Sequence, residues 1–181
     1  MRRVLVTGGA GFIGKAVRAE LEQRGDVFVP FDHGHDVCDY EDVLNEAEDC
    51  QAIMNLAAVL GTVETFGTEH DVARVNVLGA ITVADVAAEL GVPMVQVGTG
   101  HKGQPNPYAI TKACAEDLLL ARAQWCGQPI NVVRAISSTW IRSTNWRPDP
   151  YTSTGMPVNA RQMNDGPILR TFASPCGGHT F

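Results

Sequence analysis

Short apolar runs recur along the first 136 residues of this 181-residue chain, and stretches of helical periodicity separate them. The runs cover residues 3–7, 27–32, 51–58, 92–100 and 129–135. They show no clean alternation of polar and apolar residues, which is typical of strands buried on both faces of a parallel sheet. The sequence therefore predicts an α/β fold with a doubly wound parallel sheet, whose strands are joined by right-handed crossovers.

The composition changes near residue 137. Residues 137–181 are rich in Ser, Thr, Pro, Gly and Asn, and they contain neither Glu nor Lys. No helical or strand period persists there for more than a few residues. We therefore predict one folded domain over residues 1–136 and an irregular tail over residues 137–181. The tail either wraps over the sheet edge, packs only against a ligand or partner, or is not the original continuation of the gene.

A glycine-rich turn separates the first strand from the first helix. Gly9, Gly11 and Gly14 satisfy the pattern G-x-G-x-x-G, and Gly8 is in frame with Gly11 and Gly14. Such glycines allow a sharp turn, bring backbone N–H groups close to a pyrophosphate and let the helix pack tightly on the sheet. Asp32, which ends the second strand, would accept hydrogen bonds from the adenosine ribose and repel a 2′-phosphate. The pattern predicts a dinucleotide site that prefers NAD to NADP.

Tyr108 and Lys112 are four residues apart in the predicted helix 107–126, so they lie on one helix face about one turn apart. A nearby ammonium stabilises a phenolate, and we expect Lys112 to lower the pKa of Tyr108 toward neutrality. The phenol could then act as a general acid and base. Thr99 ends the preceding strand, at the sheet edge where open α/β folds bind ligands, and its hydroxyl could hydrogen-bond a substrate.

With these residues in this order, the chain resembles the extended short-chain dehydrogenase/reductase family, which includes nucleotide-sugar epimerases, dehydratases and reductases. The resemblance covers residues 1–135 and includes TGGAGFIG (7–14), Asp32, Asp36-Val37, NLAA (55–58), Asn76, Thr99 and YAITK (108–112). It implies that residues 1–136 form an NAD-binding Rossmann domain.

The resemblance also implies roles for individual residues. The expected cofactor-binding residues are Gly8, Gly11, Phe12, Ile13, Gly14, Asp32, Asp36, Val37, Leu56, Ala57, Ala58, Asn76 and Lys112. Within this set, Asp36 and Val37 would flank the adenine, and Asn76 would support the active-site helix. Thr99 and Tyr108 would act on a sugar hydroxyl, while Lys112 would also hold the nicotinamide ribose.

The chain departs from the family pattern at three places. Asp32 and Asp36 are only four residues apart, so we expect the helix that the family usually has between the second and third strands to be missing, although the acidic stretch at residues 41–49 has a helical pattern. Gly100-His101 follows Thr99 where family dehydratases have Asp-Glu, which disfavours dehydration. The family builds its sugar-nucleotide pocket from about a hundred or more further residues, so we expect an absent or vestigial substrate domain and a C-terminal truncation.

Composition excludes several other classes of protein. The net charge of −6 and the dispersed basic residues argue against binding to nucleic acid or to anionic membranes. Five cysteines without a C-x-x-C pair predict neither a disulfide framework nor a metal site, and they suit a cytoplasmic protein. No stretch is apolar for long enough to predict a membrane span.

The sequence therefore predicts an NAD-dependent epimerase that acts on a nucleotide-activated sugar, with Thr99, Tyr108 and Lys112 as catalytic residues. Two alternatives stay open: an NAD(P)-dependent keto-sugar reductase, and a catalytically silent NAD-binding module. The family often dimerises through its helices, so a homodimer is also expected.

Overall fold

A computed structural model describes residues 1–136 and 139–142, and within them the chain forms one sheet of six strands. In sequence order these are β1 (Arg3–Thr7), β2 (Val27–Phe31), β3 (Ala52–Asn55), β4 (Met94–Thr99), β5 (Ile130–Ile136) and β6 (Thr139–Arg142). The spatial order is β2-β1-β3-β4-β5-β6. The first five strands are parallel and β6 pairs antiparallel with β5. This confirms the doubly wound α/β fold that the apolar runs predict.

Helices connect the parallel strands. They are α1 (Phe12–Gln23), α2 (Tyr40–Ala47), α3 (Glu69–Ala73), α4 (Ala80–Glu89) and α5 (Pro107–Cys126), with a π-helical segment (Arg74–Gly79) between α3 and α4. Local chemistry sets the ends of α5. The Asn106 side chain accepts a hydrogen bond from the Ala109 N–H, Pro107 occupies the first turn, and Gly127 ends the helix with a φ of 68°.

The two faces of the sheet are covered by different helices. Leu5, Ile53 and Met94 pack among side chains of α2, α4 and α5 in the main core cluster. On the other face, Val95 and Val97 line a groove of about 350 Å³ with residues of α1. The connection from β1 to β2 runs along the sheet in the opposite direction to the later parallel connections. Since all of them are right-handed crossovers, α1 lies on one face of the sheet and the other described helices lie on the opposite face.

A buried row of polar side chains crosses the centre of the sheet. Thr7, Asn55 and Gln96 occupy paired positions on β1, β3 and β4, and all three are at most 1% exposed. The Thr7 hydroxyl donates to Asn55, whose amide donates to Gln96 over 2.8 Å. The Ala57 N–H donates to the Thr7 hydroxyl, so the row also fixes the chain just after β3. Because each buried polar group has a partner, the row specifies strand register at little cost.

Two elements differ from the sequence expectations or were not assigned by them. The expectation that no helix lies between the second and third strands is wrong, because α2 lies there. Between Asp32 and Asp36 the chain makes a tight turn, with Gly34 at a φ of 99°. The sequence did not assign β6. The predicted tail at 137–181 lies outside the described residues apart from 139–142, so the boundary at 136 stays a prediction.

None of the helices within the described ranges combines the length and apolar character that crossing a membrane requires.

Candidate functional site

The glycine turn lies between β1 and α1 and is closed by its own backbone. Gly8 has a φ of 68° and donates its N–H to the Phe31 carbonyl over 2.9 Å. A β-carbon on Gly14 would lie only 2.1 Å from the Gly9 carbonyl oxygen, so the first turn of α1 can approach the glycine turn only because residue 14 is Gly. Gly11 caps α1 without a side-chain hydrogen bond, which leaves the first N–H groups of the helix directed at this turn.

A cleft of about 520 Å³ opens beside the glycine turn. Its lining residues include Gly8, Asp32, Asp36, Val37, Ala57, Ala58, Val59 and Val75. One carboxylate oxygen of Asp32 accepts a hydrogen bond from the Ala10 N–H over 2.8 Å, which fixes the carboxylate at the edge of the turn. The cleft thus has an anion-binding turn at one side, a carboxylate at its rim and apolar walls, the arrangement that an adenosine diphosphate requires.

The far end of the cleft is held by charged side chains around Asp36. The Asp36 carboxylate accepts from the Cys38 N–H over 2.9 Å and pairs with Arg74 on the π-helical segment. These contacts keep the pKa of Asp36 below its ordinary value: the Cys38 N–H is the largest cause, partial burial opposes it, and Arg74 adds a further lowering effect. His35 pairs with Asp42 over 2.7 Å. Sequence reasoning did not identify Arg74 or Asp42, since nothing in their local pattern marks them.

The side chains of three expected cofactor residues line a groove beside the cleft. Phe12 and Ile13 begin α1, and together with Leu56 they line the apolar groove between α1 and the sheet. Phe12 is 94% exposed. The backbone at Phe12 directly follows Gly11, and the Leu56 carbonyl carbon would lie 3.0 Å from a β-carbon on Gly8, so the backbone of both residues adjoins the glycine turn. Their assignment as cofactor residues stays a prediction.

The predicted catalytic residues Thr99 and Tyr108 come together at the carboxyl end of β4. The Thr99 hydroxyl lies close enough to the Tyr108 phenol to lower the pKa of that phenol. It also accepts a hydrogen bond from the His101 N–H over 3.1 Å. Thr99 is buried and Tyr108 is half-buried. A hydroxyl and a phenol therefore lie side by side at the edge of the sheet where a substrate could reach them.

Lys112 is buried one turn along α5 from Tyr108, with 3% of its surface exposed. Burial lowers the pKa of Lys112 to about 8, against a smaller opposing effect of Glu116. The expected lowering of the Tyr108 pKa by Lys112 is wrong for this structure. Burial raises the pKa of the phenol, and the opposing hydrogen bond from Thr99 is the weaker effect.

Asn76 connects the cleft to the catalytic helix. It lies in the π-helical segment and is buried, with its side-chain oxygen accepting from the Val59 N–H over 2.8 Å. Its amide nitrogen donates to the Val59 carbonyl and to the Thr111 hydroxyl, each over 3.1 Å. Asn76 therefore ties the loop after β3 to α5 at the residue before Lys112, which is a contact of the kind that the resemblance implies.

A buried carboxylate that sequence reasoning missed lies beneath these residues. Glu116 is completely buried on α5, and its oxygens accept from Arg134 Nε over 2.9 and 3.0 Å. Lys102 Nζ contacts the same carboxylate over 3.2 Å. Burial would raise the pKa of Glu116, but the hydrogen bonds and charges of Arg134 and Lys102 hold it below its ordinary value. Its four-residue spacing from Lys112 was the available sequence signal.

Within the described part of the chain, no three His, Cys, Asp or Glu side chains are grouped so that they could hold a metal ion.

Comparison with known proteins identifies the family. Residues 4–167 match the NAD dependent epimerase/dehydratase family. The chain belongs to this family. The resemblance stated from the sequence is thereby confirmed, and NAD, the cofactor predicted from the glycine motif, is the cofactor of the family. The comparison with curated proteins found no match.

Several solved structures share the fold at low sequence identity. UDP-glucose 4-epimerase from Thermotoga maritima, solved with UDP-glucose, has a TM-score of 0.68 and 21% identity, covering 73% of this chain and 54% of its own. UDP-glucose 4-epimerase from Brucella ovis, solved with NAD, has a TM-score of 0.67 and 23% identity, with coverages of 74% and 51%. dTDP-4-dehydrorhamnose reductase from Bacillus anthracis, solved with NADP, has a TM-score of 0.64 and 21% identity, with coverages of 74% and 52%. This chain thus spans about half the length of the structures it resembles.

Proposed function

We propose that this chain carries the NAD site and the proton-transfer residues of an epimerase that acts on a nucleotide-activated sugar. The observation that carries the proposal is the contact between Thr99 and Tyr108, one helical turn from the buried Lys112. If the two residues were merely a surface pair, the ammonium would be exposed, because burying a charged group is unfavourable. Ionisable groups with strongly shifted pKa values are concentrated at functional sites. Family membership supports the same reading.

The residues of the cleft fit the cofactor. A β-carbon on Gly8 would lie 2.9 Å from the Ala57 nitrogen, and one on Gly14 would collide with Gly9, so both positions need a bare backbone. In the proposed complex, the glycine turn and the start of α1 hold the pyrophosphate and Asp32 holds the adenosine ribose. Asp36 and Val37 flank the adenine. When bound, NAD supplies a site that accepts a hydride from the sugar and returns it.

The chain's own residues would then handle the proton. Tyr108 takes the proton of a sugar hydroxyl and later returns it, while the Thr99 hydroxyl orients that oxygen by hydrogen bonding. Lys112 would hold a ribose hydroxyl of the nicotinamide side, with its ammonium one helical turn along α5 from the phenol. The configuration of the sugar carbon would be inverted if the sugar presents its other face before the hydride is returned to that carbon.

Two alternatives use the same residues differently. An NAD(P)-dependent keto-sugar reductase would need only the second half of this reaction, in which hydride and proton are delivered to the sugar. The similarity to dTDP-4-dehydrorhamnose reductase favours it as the second candidate. A catalytically silent NAD-binding module would keep the cleft without turnover, and the raised pKa of Tyr108 is the observation in its favour.

We also propose that the chain forms a homodimer through α5. A stripe of exposed side chains follows one face of this helix: Ile110, Cys114, Leu118, Ala121 and Trp125. Ile110 and Trp125 are 59% and 58% exposed, which is unusual for apolar residues this large. Light scattering should give twice the monomer mass, and Leu118→Glu should return it to that of a monomer.

Incubation with NAD and a panel of nucleotide sugars tests the proposed activity. UDP-glucose is the first probe, because the Thermotoga maritima relative was solved with it. Proton NMR should show an epimeric product that depends on NAD, without net change in the NADH absorbance. Net consumption of NADH or NADPH with a keto-sugar would establish the reductase instead. Tight NAD binding without product from any sugar nucleotide would contradict both enzymes and establish the silent module.

A further inference from the structure

The loop between Thr99 and Tyr108 is fixed to the body of α5 by one side chain. Lys102 Nζ contacts Glu116 Oε1 over 3.2 Å and Asp117 Oδ1 over 2.5 Å. The other described hydrogen bonds of residues 100–106 are local, including that from the His101 N–H to Thr99 and that from the Gln104 N–H to the His101 carbonyl. Lys102 thus supplies the long-range connection of this loop within the described residues.

Charge compensation alone does not explain this contact. Glu116 already has Arg134, which donates to both carboxylate oxygens from β5. Lys112 on the same helix adds a further positive charge, although it makes no described hydrogen bond to Glu116. A carboxylate with a bidentate guanidinium partner is well satisfied without a second cation.

The position of Glu116 explains what the contact can do. A β-carbon on Gly98 would lie 2.5 Å from Glu116 Oε2, so the carboxylate lies directly against the strand residue that precedes Thr99. Glu116 is also one turn beyond Lys112 on α5. A loop attached to Glu116 is therefore attached to a fixed point beneath both strand β4 and helix α5.

We propose that Lys102 is a positioning residue, which holds the loop 100–106 on Glu116 and thereby keeps the Thr99 hydroxyl against the Tyr108 phenol. This inference rests on the proposed function, because it assigns the loop a part in the same site. Lys102 itself contacts neither Thr99 nor Tyr108 among the described contacts, so it acts through the loop backbone and the His101 N–H.

Four variants separate this role from a general effect on stability. Lys102→Met removes both contacts, Asp117→Asn removes the exposed charge while leaving the contact with Glu116, and Lys102→Arg restores a cation. Thr99→Val removes the hydroxyl directly and gives the largest effect that displacement of Thr99 could have. Circular dichroism establishes that each variant is folded before it is compared.

The first readout is the ionisation of Tyr108, followed by the ultraviolet absorbance of the phenolate with Tyr108→Phe as the blank. The Thr99 hydroxyl, which the His101 N–H of the loop holds by a hydrogen bond of 3.1 Å, lowers the pKa of the nearby Tyr108 phenol. Lys102→Met should therefore raise the ionisation midpoint of Tyr108 toward the value measured for Thr99→Val. The midpoints of Asp117→Asn and Lys102→Arg should stay close to that of the native chain. This readout needs no substrate.

The second readout is turnover with the nucleotide sugar that the panel of substrates identifies. Lys102→Met should lower kcat about tenfold, with KM and NAD affinity within about twofold, because small displacements of reacting groups are costly. Lys102→Arg should recover most of the rate. A native Tyr108 midpoint in Lys102→Met overturns the inference, as does an unchanged kcat. If the native chain turns over no substrate, the proposed function fails, and the ionisation of Tyr108 alone decides the role of Lys102.

Discussion

The cleft beside the glycine turn and the catalytic end of the molecule are built from different interactions. The cleft is held by hydrogen bonds between backbone N–H groups and half-exposed carboxylates: Asp32 accepts from the Ala10 N–H, and Asp36 accepts from the Cys38 N–H. At the catalytic end, the charged groups are buried, with Lys112 at 3% and Glu116 at 0% exposure. The first region depends on local turn geometry, whereas the second depends on the packing of α5 against β4 and β5.

This difference indicates which properties can change separately. We expect backbone geometry in the cleft to set cofactor affinity, and we expect that affinity to be insensitive to the ionisation of groups at the other end. Burial at the catalytic end fixes the protonation states, at a cost in stability that a folded protein bears for function.

Gly14→Ala should have the largest effect, and it should fall on the cleft. The added β-carbon would lie 2.1 Å from the Gly9 carbonyl oxygen, so the glycine turn must shift. We expect a loss of about 3 kcal/mol in the free energy of NAD binding, or more than a hundredfold in Kd, by calorimetry. Gly25→Ala, at the other end of α1, is the control: nothing lies within 4 Å of its added β-carbon, and the backbone strain from its φ of 73° falls away from the cleft. Equal affinities for the two variants would contradict the prediction.

Lys112→Met should stabilise the cofactor-free chain while abolishing turnover. Burial lowers the pKa of Lys112 to about 8 from an ordinary value of 10.5. Below pH 8 the folded chain holds a buried charge at a cost. Between pH 8 and 10.5 the unfolded chain binds a proton that the folded chain does not, so stability rises with pH in that window.

Urea denaturation should therefore show the variant more stable at pH 7 by about 2 kcal/mol, with the difference shrinking as the pH approaches 10. Lys15→Met, an exposed position on α1, is the control and should show no such trend. A variant that is less stable than the native chain at pH 7 would show that Lys112 is not held at a cost.

Asp32→Asn should change the choice of cofactor by a smaller amount. The amide keeps a hydrogen-bond acceptor for the Ala10 N–H but loses the charge that repels a 2′-phosphate. The ratio of NADP to NAD affinity should rise about tenfold, equivalent to about 1.4 kcal/mol. Asp49→Asn changes the net charge equally at an exposed site and should leave the ratio unchanged.

His35→Gln should have the smallest effect, visible only in the pH dependence of the melting temperature. The hydrogen bond with Asp42 raises the pKa of His35 above its ordinary value of 6.5. The pair therefore stabilises the fold fully below pH 6.5, and this contribution is lost as the pH rises through the raised pKa. The variant should lose that slope between pH 6 and 8, whereas His70→Gln, a highly exposed position, should keep it.

Much of the fold could be predicted because its signals are local. Strands β1 to β5 follow the apolar runs, and the capping residue Asn106 and the terminal Gly127 bracket α5 at its predicted limits. The error about the connection between β2 and β3 arose from the family spacing of Asp32 and Asp36. The acidic stretch after Asp39 carries its own capping signal, a side chain that accepts from the Asp42 N–H. Local chemistry was the better guide there.

The candidate site could be predicted only in part, because ionisation depends on burial. Sequence spacing placed Tyr108 and Lys112 on one helix face, and the structure brings Thr99 to Tyr108. It could not show how far either group is buried: burial of Tyr108 raises the pKa of the phenol, and burial of Lys112 lowers that of the ammonium. Nor could it show that Arg134 and Lys102, distant in sequence, meet at Glu116.

Tyr108→Phe, measured for both NAD binding and turnover, tests most directly whether the cleft and the catalytic end act separately. The account predicts an NAD Kd within about twofold of the native chain and a rate at least about a hundredfold lower, since the variant removes the acid and base alone. Tyr40→Phe is the matched control, because its phenol bonds Glu89 on α4 away from both regions. Undiminished turnover in Tyr108→Phe, or loss of NAD binding along with the rate, would contradict the account.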